Sequence, residues 1–395
     1  MMPSHGGMGT AAIHAGDPEP RTNAPVVNPI VPSTTFYMDP DGGGDLLYSR
    51  YGNGPNHSVV EARLAALDGG DDALVLGSGM AAMSCAMLSL LQAGDHVVAT
   101  DAIYGGTRAL LTDELSRLGI ATTFVDFFSS EWQRALRPET RVVLGEFPSN
   151  PLLRVADLRP IADAAHAHGA ALVVDATFAS PINFRPLEHG ADLVMHSATK
   201  YLAGHSDVTA GALVGSQARV DEARKRARVW GPMLDPHAAW LLERGIKTLS
   251  VRMERHNRNG MEVARWAEQR PEITRTFYPG LASHTDHEVA SRVLDGFGGM
   301  MGIELRGGGP AASRFVRALR LMKVAPSLGG VESLVSEPRH TSHAAMTPDE
   351  RAANGIRDGF IRISLGIEDA ADLIADLEQA LRAADGGLQE REAAD

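Results

Sequence analysis

Lys200 stands in "LVMHSATKYLAGHSDVTAGALVG" (residues 193–215), where an apolar run gives way to hydroxyls and glycines. Ser197 and Thr199 precede it; Gly204, His205 and Gly211 follow. Upstream, "ALVVDAT" ends an apolar run on Asp175, and "VVLGEFPSNP" leads to Asn150 before a proline. A lone loop lysine is usually solvated, and an aspartate after a strand is usually a turn former or helix cap. Found together, they can do more. An amine can bond covalently to a carbonyl, and a carboxylate can hold a ring nitrogen protonated.

The glycine-rich turn "LVLGSGMAAM" is open to three readings. Gly77-x-Gly79-x-x-Ala82, with Asp101 ending the next strand, carries the elements of a dinucleotide fingerprint. It also fits a tight strand-to-helix turn with no ligand. Thirdly, it fits a cup of backbone N–H groups receiving a phosphate monoester at a helix N-terminus. The turn alone does not choose. The set Lys200, Asp175 and a phosphate cup is what pyridoxal phosphate needs: an amine, a carboxylate beside the pyridine nitrogen, and donors for the phosphate. Tyr104, in "DAIYGGT", ends a strand where it could stack on the ring.

The elements that must position these groups alternate. "DALVL", "HVVATD", "ATTFVDF", "RVVLGEF", "ALVVDAT" and "ADLVMHS" read as strands; "HSVVEARLAALDGG", "MAAMSCAMLSLLQAG", "GGTRALLTDELSRLG" and "IADAAHAHG" read as helices. That predicts an α/β fold with a mostly parallel sheet covered on both faces, active groups lying at the strand C-terminal ends. Residues 1–52 carry six prolines from Pro18 to Pro40 and Gly42–Gly44, and read as an extended arm rather than a helical domain. The large domain is expected over 53–248. "PHAAWLLERGIKTLSVRMERHNRNGMEVARWAEQ" reads as a long helical bridge into a smaller α+β domain over 249–395, with a frayed end at "GGLQEREAAD".

Bulk properties exclude other classes. The 395 residues are 44% apolar, enough for a large core and more than one lobe. The net charge of −12 argues against nucleic acid or an anionic membrane as partner. No apolar run approaches the ~18 residues of a membrane span, and the N-terminus does not have the pattern of a signal peptide. The single cysteine, Cys85, excludes a disulfide framework within the chain and reads as a core thiol. A cytoplasmic location is expected.

So many motifs in one order are specific. "IHAG", "PVVNPIVPSTTF", "YSRYGN", "SGMAA", "YGGT", "EFPSNP", "VVDAT", "HSATKYLAGHSDVTAG", "RGIKTLSVRM", "APSLGGVESL" and "RISLGIED" run from about residue 13 to about 383. The chain resembles the Cys/Met-metabolism branch of fold-type I pyridoxal phosphate enzymes, the cystathionine γ-synthase, cystathionine γ-lyase and methionine γ-lyase group. The resemblance implies that Lys200 is the Schiff-base lysine and proton shuttle, that Asp175 pairs with the pyridine nitrogen, and that Tyr104 stacks on the ring and assists the leaving group. Gly79, Met80, Ser197 and Thr199 would hold the phosphate, with Tyr48 and Arg50 reaching the phosphate of a neighbouring subunit. Asn150, Ser327 and Arg362 would face the cofactor oxygen and the substrate α-carboxylate; the planar fork of Arg362 suits a carboxylate. The implied reaction is γ-replacement or γ-elimination on a homoserine-derived amino acid, either an O-acylhomoserine or a cystathionine-like one, through a vinylglycine-type intermediate. The implied assembly is a homo-oligomer, a tetramer built from dimers with shared active sites.

Several positions depart from the family pattern. The arm reads "YSRYGNGPNH", with one extra residue before the proline and no threonine; Ala176 stands where asparagine is common, and Ser206 where a glycine is common. Gly106 replaces the cysteine usual in methionine γ-lyases. Ala109 replaces the arginine that cystathionine enzymes direct at a distal carboxylate, with Arg108 one position early, while Glu332 in "SLGGVES" is like the cystathionine group. These departures motivate an alternative, a relative using S-adenosylmethionine or an O-acylhomoserine as γ-donor to a carbon or nitrogen nucleophile. A nicotinamide oxidoreductase and a non-catalytic binding protein are further readings. The pairs His284/His287 and His340/His343 have H-x-x-H spacing without the acidic or cysteine company of a zinc site, so no metal is expected.

Overall fold

The computed structural model describes residues 7–129, 131–341, 344 and 346–392. Its contacts divide the chain into two units. The first holds Met1–Asp101, Gly106–Gly145 and Leu158–Ser250; the second holds Ala102–Gly105, Glu146–Asp157 and Val251–Asp395. The long split falls beside the expected boundary at 248/249. The two short segments are the difference: the second unit takes in Tyr104 and Asn150, which contiguous reading had placed in the large domain.

The first unit is built on seven strands: β1 (Asp72–Leu76), β2 (His96–Thr100), β3 (Ala121–Val125), β4 (Thr140–Glu146), β5 (Ala171–Asp175), β6 (Leu193–His196) and β7 (Gly211–Gly215). Their order is β1-β7-β6-β5-β4-β2-β3. β2 runs parallel to β3 and β4, and β5 parallel to β6, while β7 is antiparallel to β6 and β1. β2 and β5 to β7 are buried at every position, which is why their sequences are apolar without alternation.

This order removes the dinucleotide reading. That fingerprint needs β1 and the strand after its helix to lie side by side and parallel. Here β1 is an edge strand paired antiparallel to β7, and β2 lies at the far side of the sheet.

The arm is mostly irregular, with one short helix at Met8–His14 that the proline count had not suggested. It is pinned to its own unit. Asn56 accepts from Val31 N–H and donates to Pro29 O, both at 2.9 Å, and the Trp240 indole donates to Asn28 O at 2.8 Å. The fully buried Arg63 donates to Ala15 O at 3.0 Å and to Asp17 at 2.6 Å, and pairs with buried Glu243 at 3.4 Å.

The expected helical bridge is two helices, Pro236–Ile246 and Leu249–Glu268, the first capped by Asp235 accepting from His237 and Ala238 N–H. The second unit has a five-stranded sheet of β8 (Ile273–Phe277), β9 (Met300–Leu305), β10 (Lys323–Val324), β11 (Leu334–Ser336) and β12 (Phe360–Ser364). Its order is β10-β11-β12-β9-β8. Phe315, Ile361, Ile363, Leu373 and Leu377 form its core with the helices Gly308–Ala318 and Ala370–Glu392. The last helix continues through the segment expected to fray, as far as Glu392.

Cys85 is a buried thiol, its pKa pushed up to about 11 by burial, so it is inert as a nucleophile. Among the described residues, no helix is long and apolar enough to cross a membrane.

The departure at Ser206 has a physical signature. Its φ of 57° lies in the left-handed region, where a Cβ costs about 1–2 kcal/mol. Ser206→Gly is expected to stabilise the fold by about 0.5–1 kcal/mol. A denaturation midpoint lower than that of the unmodified chain would mean that the serine side chain earns its place by contacts.

Candidate active site

In the first unit, the strand ends assemble a compact set around Asp175. Asp175 is the last residue of β5 and 7% exposed. Its Oδ1 accepts twice from Thr177, from the N–H at 2.9 Å and from the hydroxyl at 2.5 Å. The same hydroxyl oxygen accepts the N–H of Ser197 at 2.8 Å, tying the carboxylate to the lysine loop. Burial pushes the Asp175 carboxyl up, while the Thr177 hydrogen bonds and the charge of His196 pull it back. Both Thr177 hydrogen bonds go to Oδ1, and none is recorded at Oδ2 among the described residues.

Lys200 follows β6 in a tight turn closed by Lys200 N–H to Ser197 O at 3.1 Å and Gly204 N–H to Lys200 O at 2.8 Å. Gly204 has φ of 72°, which explains a glycine there. The glycine-rich turn at Gly77–Gly79 packs against this loop. Helix Gly79–Leu90 is capped by Ser78, which accepts from Ala81 N–H, and the N–H groups of Gly79 and Met80 have no intrahelical acceptor. A Cβ on Gly79 would stand 2.9 Å from Ser197 Cβ, and one on Gly211 only 2.0 Å from Ser78 O. Both glycines are therefore demanded by close packing of the cup on the lysine loop. The Thr199 hydroxyl donates to Ala210 O at 3.2 Å and accepts Ala210 N–H at 3.0 Å. The backbone N–H of Ser197 is bonded to the Thr177 hydroxyl at 2.8 Å. Ala176 is fully buried and donates its N–H to Met195 O at 3.0 Å.

On the arm, Tyr48 and Arg50 lie at the surface of their own unit. Arg50 donates to Arg228 O at 2.6 Å, and its guanidinium lies 4.8 Å from the Tyr51 ring centre. Arg108 is also occupied. It donates to Asp101 O at 2.5 Å, and its guanidinium stacks 4.0 Å from the Phe124 ring centre, while Ala109 is exposed. Adjacent helical positions point about 100° apart.

The second unit holds a separate cluster. Arg362, buried on β12, donates from Nη1 to Asn150 Oδ1 at 3.3 Å and from Nη2 to Ser327 O at 3.1 Å. Ser327 has φ of 91°, a conformation rare for a side-chain-bearing residue and typical of functional loops. Asn150 follows β4 and is itself buried. Tyr104 is exposed, and its N–H donates to Glu146 Oε2 at 2.7 Å. Glu332 is half-buried in the loop before β11.

Thr177, which bonds Asp175, and Glu146, which bonds Tyr104 N–H, were not singled out from the sequence; "VVDAT" contains Thr177, but Glu146 lies 42 positions from its partner. The H-x-x-H pair His284/His287 is committed to main chain: His284 Nδ1 accepts from Asp286 N–H, and His287 Nδ1 faces Pro279 O at 2.9 Å. His340 is exposed in the turn Pro338–His340, and His343 lies outside the described residues. Among the described residues, no group of three or more His, Cys, Asp or Glu could hold a metal.

The chain matches the Cys/Met metabolism PLP-dependent enzyme family over residues 9–382. It is 43% identical over 390 residues to an L-methionine γ-lyase of Pseudomonas putida, covering 95% of this chain and 98% of that one. It is 43% identical over 376 residues to a cystathionine γ-lyase of Bacillus subtilis, covering 94% and 98%. The crystal structure of a cystathionine γ-synthase from Xanthomonas oryzae pv. oryzae, in complex with aminoacrylate and cysteine, superimposes with a TM-score of 0.93 at 38% identity, covering 97% and 99%.

The protein therefore belongs to the Cys/Met metabolism PLP-dependent enzymes. It is a pyridoxal phosphate enzyme of fold type I that acts at Cγ of a small amino acid, by replacement or elimination. These matches do not favour the S-adenosylmethionine alternative. The residues fit the cofactor: a buried carboxylate bonded at one oxygen by Thr177, a lysine in the loop that Thr177 ties to it through Ser197, and a glycine-lined helix N-terminus with free N–H groups.

Proposed function

We propose that this enzyme carries out γ-elimination or γ-replacement on a homoserine-derived amino acid whose γ-substituent is uncharged, such as O-acetylhomoserine or methionine. The observation that carries the proposal is Arg108. Held by the Asp101 carbonyl and stacked on Phe124, it is not available to a distal carboxylate, and the neighbouring position offers only Ala109. Cystathionine and O-succinylhomoserine would then present a charge with no partner, which costs a site more than an absent methylene does.

Pyridoxal phosphate, when bound, supplies an electron sink for negative charge at the substrate carbons. The chain supplies the rest. Asp175 Oδ2 would hold the pyridine nitrogen protonated, oriented by Thr177 at Oδ1. The Ser197 hydroxyl and the first N–H groups of helix Gly79–Leu90 would take the phosphate. The Lys200 amine would anchor the aldehyde end and carry protons between substrate Cα and Cβ. Arg362, pre-set by Asn150 and Ser327 O, would fork onto the α-carboxylate. Tyr104 would stack on the ring and protonate the departing group, and Glu332 would line the substrate side.

Assembly supports the same reading. Val26 and Tyr37 on the arm are fully exposed, with Val27 and Met38 beside them, an apolar load that a second copy would cover. We place Tyr48 and Arg50 at the phosphate of that copy, in a homotetramer. A cytoplasmic location accords with the lone buried thiol.

The test compares kcat/KM for O-acetylhomoserine and O-succinylhomoserine. The expected preference for the acetyl ester is at least about ten-fold. Equal values, or a preference for succinyl that Arg108→Ala abolishes, would overturn the substrate class.

A further inference from the structure

Residues 146–157 belong to the second unit, although the chain on either side of them belongs to the first. Asn150 lies in this segment and accepts from Arg362 Nη1 at 3.3 Å. That contact depends on the segment being held in register with the sheet that carries Arg362.

The segment is a closed turn. Ser149 N–H donates to Arg154 O at 3.0 Å, Leu153 N–H to Ser149 O at 2.9 Å, and Arg154 N–H to the Ser149 hydroxyl at 3.1 Å. These bonds set the shape of the turn but not its place. Leu152 packs against Phe277, Ile356 and Phe360, an apolar contact without direction. Direction comes from "SHTDH", residues 283–287, the stretch that holds the His284/His287 pair.

Asp286 is 8% exposed. Its Oδ2 accepts from Arg154 Nε at 2.6 Å and from Val155 N–H at 3.1 Å, and its Oδ1 accepts from Arg154 Nη2 at 3.2 Å. A two-pronged guanidinium–carboxylate pair fixes orientation as well as distance. Asp286 stands just before helix His287–Val293, where an aspartate usually caps the first N–H groups, yet its side chain makes no capping bond. The carboxylate is directed at the turn instead. His284 adds a further tie: its Nδ1 accepts Asp286 N–H at 3.2 Å, so Nε2 carries the proton and faces Leu152 O at 3.4 Å. All of these bonds land between Leu152 and Val155, directly after Asn150.

We propose that Asp286 is a positioning residue for the substrate α-carboxylate: by holding Arg154 and Val155 it seats the turn so that Asn150 meets and orients Arg362. The proposal rests on the assignment of Arg362 to that carboxylate. Asp286→Ala removes every side-chain bond to Arg154 and Val155 at once.

The experiment titrates the reconstituted holoenzyme with two probes, L-alanine and L-alaninamide, which differ only at the carboxylate. Dissociation constants are read from the change in the cofactor's visible band. Asp286→Ala is expected to weaken L-alanine by about ten-fold, the worth of one hydrogen bond to a charged group, and to change L-alaninamide by less than about two-fold. In an Asn150→Ala background the same substitution should add less than about two-fold, because its effect passes through Asn150. Equal weakening of both probes, no weakening of either, or an undiminished effect without Asn150 would overturn the proposal. If Asp286→Ala does not fold, Asp286→Asn reads the same comparison, since it leaves an acceptor for Val155 N–H and removes the charge facing Arg154. Arg362→Lys separates the two levels. If it weakens both probes alike, the assignment of Arg362 fails, and the proposal with it; if it weakens L-alanine selectively while Asp286→Ala does not, the positioning role alone fails.

Discussion

Lys200→Ala is expected to abolish turnover, with kcat falling on the order of 10⁴-fold or more, and to leave a protein without the visible band of a bound cofactor. Two functions are lost in one substitution. In the proposed reading the amine is the anchor for the aldehyde and the base that moves protons between substrate carbons; positioned acid–base groups alone contribute about 10²–10⁴-fold. The fold should survive, because the turn around Lys200 is held by main-chain bonds from Ser197 and Gly204 rather than by the side chain alone. The check is an absorbance spectrum of each protein reconstituted with cofactor, beside a turnover assay. An unchanged visible band in Lys200→Ala would remove the lysine from its assigned role.

The largest effect on stability is expected from Arg63→Leu, a loss of about 3 kcal/mol. Arg63 is completely buried, and it bridges the arm, at Ala15 O and Asp17, to Glu243, which is 2% exposed. Removing the guanidinium leaves Glu243 in the interior with Lys247 at 2.9 Å and the Asn28 amide at 2.9 Å, and cuts two ties to the arm. Breaking one side of a buried pair costs more than the pair contributes, and here a buried Glu243 that keeps Lys247 and Asn28 still loses its fully buried partner. The exposed pair Lys225–Glu222 is the control, and Lys225→Ala should change stability by less than about 0.5 kcal/mol. Urea denaturation measures both, and limited proteolysis should show the Arg63 variant cut first within the arm. A loss below about 1 kcal/mol for Arg63→Leu would mean that the arm docks independently of this network.

The strands of the first unit were legible because they are short, apolar in their middles and bounded by polar turns: β1, β2, β5 and β6 lie where their sequences placed them. β7 was hidden because it is "GALVG", whose glycines read as loop; Gly211 is there because a side chain would strike Ser78 O. β10 and β11 have two and three residues, too few for any period to show. The assignment of 102–105 and 146–157 to the second unit is a tertiary fact, as is the bridge from Arg362 to Asn150 across 212 positions. Lys200 and Asp175 could be found from their place at the ends of apolar strands. Thr177 could not, since threonine after a strand is ordinary. Arg108 could be singled out by position, but its commitment to Asp101 and Phe124 is visible only in three dimensions.

The claim that the enzyme breaks a bond at Cγ of an amino acid with an uncharged γ-substituent is tested most directly in deuterated water. The reconstituted enzyme is incubated with O-acetylhomoserine, O-succinylhomoserine, cystathionine and methionine, and the products and recovered substrates are examined by NMR. The account predicts exchange at Cα and Cβ together with loss of the γ-substituent, fastest for O-acetylhomoserine or methionine. Exchange at both carbons with the γ-substituent of every substrate retained would contradict it.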